Sequence, residues 1–277
     1  MIFDKFQLIE SLIDIALDED LKDGDPSSEI ILKNIKSEYN LILKEDAVIS
    51  GVEVFKYIFK KIDRNMSFSN FIEDSFQEKG LIGKIIGDEV SILSAERTAL
   101  NFIQRMSSVA TSTFNLKNLM NNPNVELIDT RKTIPGWRVL DKYSVLVGGG
   151  KNHRMNLGEQ IMIKDNHYDE NNIKNIIKNG KKKFPNLKIE IEVDNLSQLK
   201  SIINEDIDIV MLDNWPIDSV EETIGFVRKN NPKLLIEISG GINQQNISSY
   251  AQFSPDFISS GSITHSPKSI DLSLEKA

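Results

Sequence analysis

The sequence predicts an α/β protein in two parts: a compact α+β first third, then a series of βα units around a parallel sheet. Three patterns carry this. In the first third, strand-like and helix-like stretches alternate without a repeated unit. Beyond Pro123 six nearly continuous apolar runs follow, at Val125–Ile128, Gln160–Ile163, Ile189–Val193, Ile207–Leu212, Leu234–Ile238 and Phe257–Ser259. Such runs suit strands buried on both faces, and the gaps hold helices, as at Asn195–Ile203 and Ile217–Val227. The third pattern is what ends the runs: Asp129-Thr130-Arg131-Lys132, Lys164-Asp165-Asn166-His167, Glu192-Val193-Asp194-Asn195, Asp213-Asn214, Ser239-Gly240-Gly241 and Ser260-Gly261-Ser262. In a parallel barrel all carboxyl ends of strands open on one face, so six polar or glycine endings converge on one pocket. Spacing favours a barrel and leaves a doubly wound open sheet as the alternative.

The elements follow in order. Phe3, Phe6, Ile9, Ile13 and Leu17 recur at helical spacing and predict an amphipathic helix. Asp18 to Ser28 is acidic and turn-rich and reads as a solvated loop, with Ser27 or Ser28 capping what comes next. The stretch to Ser50 suggests a strand, Gly51 opens a helix through Val54, Ile58 and Phe59, and short β-like runs lie near Ser67–Phe71 and Gly80–Gly87. Ser94 to Met120 is a long helical pattern bearing Arg97 and Arg105, ended by Asn121-Asn122-Pro123. The lysine-rich segment from Asn171 to Lys183 reads as a solvated helix face and its turn.

Composition narrows the function classes. The 277 residues are 40% hydrophobic and 27% charged with a net charge of −8, which argues against nucleic acid as the main partner. There is no cysteine for a disulfide, thiolate metal site or nucleophile, and three histidines argue against a His-rich metal site. The amino terminus lacks the basic and apolar regions of a signal peptide, and no apolar run is long enough for a membrane span, so the expectation is a cytoplasmic protein. Against this acidic background, Arg131 to Lys164 carries seven Lys or Arg and two acids, Asp141 and Glu159, a surplus of five. Arginine offers a planar fork to carboxylate or phosphate and lysine a point charge, so Arg131, Lys132, His153, Arg154 and Lys164 would bind a polyanion. The glycine turns at Ser239–Gly241 and Ser260–Gly261 would let backbone N–H groups approach a phosphate at a helix start. Glu192 and Asp213, on adjacent strands, could hold Mg²⁺ or accept hydrogen bonds from ribose hydroxyls.

The run DTRKTIPGWRVLDKYSVLVGGGKNHR, with IKDNH, EVDN, MLDN, ISGGI and SSGSITHS after it, resembles the quinolinate phosphoribosyltransferase family (nicotinate-nucleotide pyrophosphorylase, carboxylating). The resemblance extends over nearly the whole chain and is most specific in this central block. It implies an N-terminal α/β sandwich domain (residues 1–110), an open α/β barrel of about seven parallel strands (111–268), and a tail (269–277) packing back on the first domain. It implies transfer of phosphoribosyl from phosphoribosyl pyrophosphate to quinolinate with loss of CO₂, giving nicotinate mononucleotide and pyrophosphate, with Mg²⁺ as cofactor. Residue by residue, Arg131, His153, Arg154 and Lys164 would surround the two carboxylates of quinolinate. Lys132, Lys164, Glu192 and Asp213 would serve phosphoribosyl pyrophosphate and its Mg²⁺, and Ser239, Gly240, Gly241, Ser260 and Gly261 the 5′-phosphate. Arg97 would reach the quinolinate pocket of the neighbouring subunit, which makes a homodimer with shared sites the expected assembly. The sequence departs from the family pattern at Ser108, often glycine, at Trp137, often leucine, at Lys22-Asp23 in the acidic loop, and at Ser27 or Ser28, where threonine is common. The alternatives are the molybdenum-transport-associated relative of the same fold, a Schiff-base lyase using Lys164, and a non-catalytic phosphate-binding barrel.

Overall fold

The computed structural model describes residues 6–31, 35–164 and 172–277. In chain order the elements are α1 (Phe6–Leu21), α2 (Pro26–Ile31), β1 (Lys36–Leu43), β2 (Ala47–Val48), α3 (Val52–Ile62), β3 (Ser67–Ser69), β4 (Phe76–Gln77), β5 (Gly80–Asp88) and α4 (Glu89–Met120). There follow β6 (Glu126–Ile128), α5 (Arg138–Val147), β7 (Ile161–Ile163), α6 (Ile173–Lys183), β8 (Ile189–Val193), α7 (Leu196–Ile202) and β9 (Ile209–Asp213). The last are α8 (Ile217–Asn230), β10 (Leu235–Ser239), α9 (Ile247–Ala251), β11 (Phe257–Ser259), α10 (Ser262–His265) and β12 (Leu272–Lys276). Among the described residues no helix is long and apolar enough to cross a membrane.

Two compact units emerge. The first comprises residues 1–114, 134–149 and 267–277, the second 115–133 and 150–266. These differ from boundaries at 110 and 268 chiefly in the segment 134–149, which packs with the first unit. The physical reason lies in α5: Leu140 is buried in the first unit's core, and Asp141 receives a bidentate ion pair from Arg105 of α4. Gly148 at the end of α5 permits the contact, since a Cβ there would lie 2.3 Å from the Ala110 carbonyl oxygen.

The first unit holds an antiparallel sheet in the order β12-β1-β5-β3, with α1, α3, α4 and α5 contributing to its core. Ile13, Phe55, Phe59, Phe102 and Leu41 are fully or almost fully buried there. Strand β12 pairs with β1 through Leu41↔Leu274, and Ser108 anchors the same segment by accepting the Ile270 N–H at 3.0 Å. The serine at a position that often holds glycine thus has a structural use. Trp137, the second departure, stacks near Phe102 with ring centroids 4.6 Å apart.

Several local expectations change. The acidic stretch is not all loop: α1 continues through Leu21, and only Lys22–Asp25 turn. The cap of α2 is Asp25 rather than a serine: Asp25 accepts from the Ser28 N–H at 3.1 Å, and Pro26 takes the first helical position, where its missing N–H costs nothing. The strand expected up to Ser50 breaks at Lys44–Asp46 into β1 and β2. Helix α5 and strands β4 and β12 were not among the elements expected from the sequence. Phe3 and the motif residues Asp165, Asn166 and His167 lie outside the described residues.

The second unit is a parallel sheet in the order β6-β11-β10-β9-β8-β7, an open α/β barrel whose two sequence-early strands form its edges. A parallel bridge between Ile128 and Lys151 adds a seventh, one-residue position beside β6. Strand β8 is buried at every position, as an apolar run flanked by helices requires. Helix α7 is capped by the Asn195 side chain, which accepts from the Gln198 N–H. The lysine-rich segment forms α6, which buries Ile173 and Ile177 and turns Lys178, Lys182 and Lys183 to solvent.

Candidate active site

Five strand ends of the second unit line one cavity of about 430 Å³, a size suited to small ligands. Thr130, Arg131 and Lys132 follow β6; Met162 and Lys164 come from β7; Glu192 from β8; Met211, Asp213 and Asn214 from β9; Ser239, Gly240 and Gly241 from β10. His153 and Arg154 enter from the segment before β7. Four fixed cations therefore share the space with two carboxylates, Glu192 and Asp213.

Local structure explains each placement. After β6, buried Asp129 turns inward and accepts the His153 N–H at 2.8 Å, which ties the two basic stretches together. The Thr130 hydroxyl accepts the Lys132 N–H at 3.0 Å, and Lys132 O accepts the Thr264 hydroxyl at 2.8 Å. The Lys132 side chain crosses over Gly261, where a Cβ would lie 2.9 Å from its Cδ. Lys164 ion-pairs with Glu192, which is buried while Lys164 stays half-exposed. Arg154 donates to the Gln160 carbonyl at 3.2 Å and contacts the Met162 sulfur. The Arg131 side chain has no hydrogen bond or ion pair among the described residues.

The electrostatics are those of an anion site. Burial, and then the neighbouring Arg131, push the Arg154 guanidinium below its ordinary value, with Glu190 acting the other way. Two arginines that repel each other in a partly desolvated cavity gain most from a ligand with two negative charges. Glu192 and Asp213 end adjacent strands and offer hard oxygen donors with lone pairs beyond those used by Lys164 and the Asn214 amide, a donor set that suits Mg²⁺.

Gly240 closes the floor. Its φ is +91°, and a Cβ there would meet the Asn214 side-chain oxygen at 2.3 Å and its backbone N at 2.6 Å. Gly240 and Gly241 both adopt positive φ, but α9 begins only at Ile247, so this turn is not at a helix start as the sequence suggested. Ser260 and Gly261 do not line the cavity directly. The Ser260 hydroxyl instead donates to Ile242 O at 2.7 Å and so binds the β11 turn to the β10 turn.

His153 lines the cavity, yet its two ring nitrogens are engaged inside the protein: Nδ1 accepts the Arg154 N–H at 2.7 Å, and Nε2 lies 3.0 Å from Glu190 Oε2. Arg97 is not in this cavity. It is exposed on α4 and lines a separate one of about 290 Å³ in the first unit, with Glu19, Asp20, Thr98, Phe102 and Trp137 among its walls. Sequence reasoning missed Met162 and Met211 in the lining, and Glu190 and Glu237 beneath it. Acids inside the apolar runs IEIEV and LIEIS were the available signal, because a buried carboxylate needs a partner.

Models of the N-terminal and C-terminal domains of quinolinate phosphoribosyl transferase match residues 25–107 and 109–275. The chain is 37% identical over 268 residues to a Methanocaldococcus jannaschii protein named probable nicotinate-nucleotide pyrophosphorylase (carboxylating), covering 94% of each. A Bacillus subtilis protein of the same name is 34% identical over 261 residues, 93% of this chain and 89% of that one. The solved nicotinate-nucleotide pyrophosphorylase of Francisella tularensis superposes with a TM-score of 0.93 at 35% identity, covering 98% of this chain and 96% of that one.

Proposed function

This chain belongs to the quinolinate phosphoribosyl transferase family, and we propose that it joins quinolinate to phosphoribosyl pyrophosphate with decarboxylation, giving nicotinate mononucleotide, CO₂ and pyrophosphate. The observation that supports this best is the crowding of Arg131 and Arg154 in one cavity with Lys132, Lys164 and two carboxylates. Quinolinate is a rigid dianion, and paired guanidinium forks match it. Arg131, Arg154 and Lys164 would hold its two carboxylates. Lys132, with Ser239 and the backbone at Gly240 and Gly241, would take the phosphates.

In the transfer, the bond from ribose C1 to pyrophosphate oxygen breaks and a bond from C1 to the ring nitrogen forms. Positive charge develops on the ribose, and the carboxylates of Glu192 and Asp213 stabilise it electrostatically. Lys132 and Lys164 neutralise the leaving pyrophosphate. The same two acids would hold Mg²⁺, which when bound adds to that neutralisation. After transfer the ring nitrogen is cationic, so the electron pair left at C2 when CO₂ departs is stabilised there, and a solvent proton completes the product. The sequence of bonds calls for no general base from the protein.

Lys164 also bears on the lyase alternative. Its ion pair with Glu192 suits a charged ammonium and not the neutral amine that attacks a carbonyl. Arg97, exposed and outside the barrel cavity, would complete the quinolinate pocket of a second copy in a homodimer. The test is incubation of the purified protein with quinolinate, phosphoribosyl pyrophosphate and Mg²⁺, following nicotinate mononucleotide and CO₂. Turnover of nicotinate in place of quinolinate would overturn the assignment.

A further inference from the structure

Beneath the cavity, two carboxylates that the reaction does not use meet His153 of the lining. Glu190 of β8 and Glu237 of β10 are fully buried. The Glu190 Oε2 atom lies 3.0 Å from His153 Nε2 and accepts the Gln160 amide at 2.6 Å. Glu237 Oε2 is 3.5 Å from the same His153 Nε2. Glu190 Oε1, both Glu237 oxygens and the Ser259 hydroxyl are buried without a hydrogen-bond partner. Leaving acids in this state costs stability, so their retention in two otherwise apolar strands needs a use.

One use would be a metal, because His153, Glu190 and Glu237 bring ligand atoms within 4.8 Å of one another. The histidine argues against it. The Arg154 backbone N–H can only donate, so His153 Nδ1 must offer its lone pair at 2.7 Å. With Nδ1 accepting, the ring N–H lies on Nε2, aimed at Glu190, and leaves no lone pair there for a metal. The two carboxylates also face each other at close range in a desolvated space. Burial and the neighbouring Glu190 hold the Glu237 carboxyl well above the usual carboxylate range, with Asp213 adding in the same direction and Ser259 opposing. The Glu190 Oε2 atom is met on two sides, by the His153 ring and by the Gln160 amide.

We propose that Glu190 and Glu237 are positioning residues for the anion clamp: they seat His153 in a single tautomer, and His153 Nδ1 in turn fixes the main chain of Arg154, which aims its guanidinium into the cavity. The chain of contacts is continuous, from Glu190 to His153 Nε2, across the ring to the Arg154 N–H, and from the Arg154 side chain to Gln160 O. Gln160 closes the loop, since its side chain returns to Glu190.

Two measurements test it, and the kinetic one rests on the quinolinate assignment. Glu190→Ala should raise the quinolinate KM about tenfold, the loss typical of removing a group that orients a ligating residue, with kcat and the KM for phosphoribosyl pyrophosphate changed less than about threefold. Glu190→Gln, which keeps one oxygen for Nε2–H, should recover most of it. Adding Glu237→Ala to Glu190→Ala should cost less than the two single effects combined, because the residues act as one unit. The second measurement needs no turnover. In full-length protein labelled with ¹⁵N-histidine, with the His153 signals identified through His153→Gln, the ring should show the Nε2–H tautomer in wild type and a mixture in Glu190→Ala. An Nδ1–H tautomer in wild type, a stoichiometric metal lost on Glu237→Ala, or a Glu190→Ala protein with an unchanged quinolinate KM and tautomer would each overturn the proposal. If quinolinate is not a substrate at all, the functional assignment fails while the tautomer result still decides the positioning role.

Discussion

Replacing Arg131 by alanine should separate binding from stability in opposite directions. The guanidinium is exposed and has no hydrogen bond or ion pair among the described residues, so its removal takes away no folding contact. It does relieve Arg154, whose charge Arg131 opposes. For a like-charge pair in contact with solvent that relief is at most about 1 kcal/mol, and salt screens it. Ligand binding should respond the other way. Truncating one partner of a hydrogen-bonded charge pair costs about 2–5 kcal/mol. The lower end applies here because the cavity is open at Arg131, and Arg154 and Lys164 remain to hold the carboxylates. A loss of about 2 kcal/mol corresponds to a quinolinate KM raised roughly 30-fold. Thermal denaturation without ligand and steady-state kinetics at matched salt give both numbers. An Arg131→Ala protein that melts several degrees lower while its quinolinate KM stays put would refute the reasoning, because Arg131 would then be a structural residue.

Three other substitutions probe different links. Gly240→Ala forces a side chain into φ +91° and against the Asn214 backbone N, which already donates to Ser239 O at 3.0 Å; together these should cost about 2–3 kcal/mol in urea denaturation and raise the KM for phosphoribosyl pyrophosphate. Arg105→Ala leaves the Asp141 carboxylate almost fully buried and should cost about 3–5 kcal/mol near neutral pH. Burial already holds the Asp141 carboxyl above its ordinary value and loss of Arg105 raises it further, so the protonated form dominates in acid. The destabilisation should therefore grow as pH rises from about 4 to 7 and shrink on acidification, and a penalty independent of pH would contradict the cause given. Finally, inactive Arg97→Ala and Lys164→Ala subunits should regain partial activity when mixed, measured as turnover in confirmed mixed dimers; no rescue there would argue against a shared site.

What the chain determined by itself follows from short-range pattern. The six apolar runs became β6 to β11 within a residue or two, because a parallel strand buried on both faces must be apolar along its length. The polar endings of five of them line one cavity because parallel topology puts all carboxyl ends on one face, so Arg131, Lys132, Lys164, Glu192, Asp213 and Ser239 could be assigned to it from spacing. Tertiary structure decided what depends on partners distant in sequence. The segment with Pro135 and Gly136 was expected only as a turn, and α5 follows it because Leu140 has a core to enter and Asp141 has Arg105, 36 residues away, to meet. His153 was expected in the anion pocket and does line it, but only the fold shows that its Nε2 meets Glu190, 37 residues on. Ser260 was expected in a phosphate-cradling turn, and only the fold shows that its hydroxyl is spent on Ile242 O. A residue's type limits the bonds it can make. Only the folded neighbourhood settles which of them remain open to a ligand.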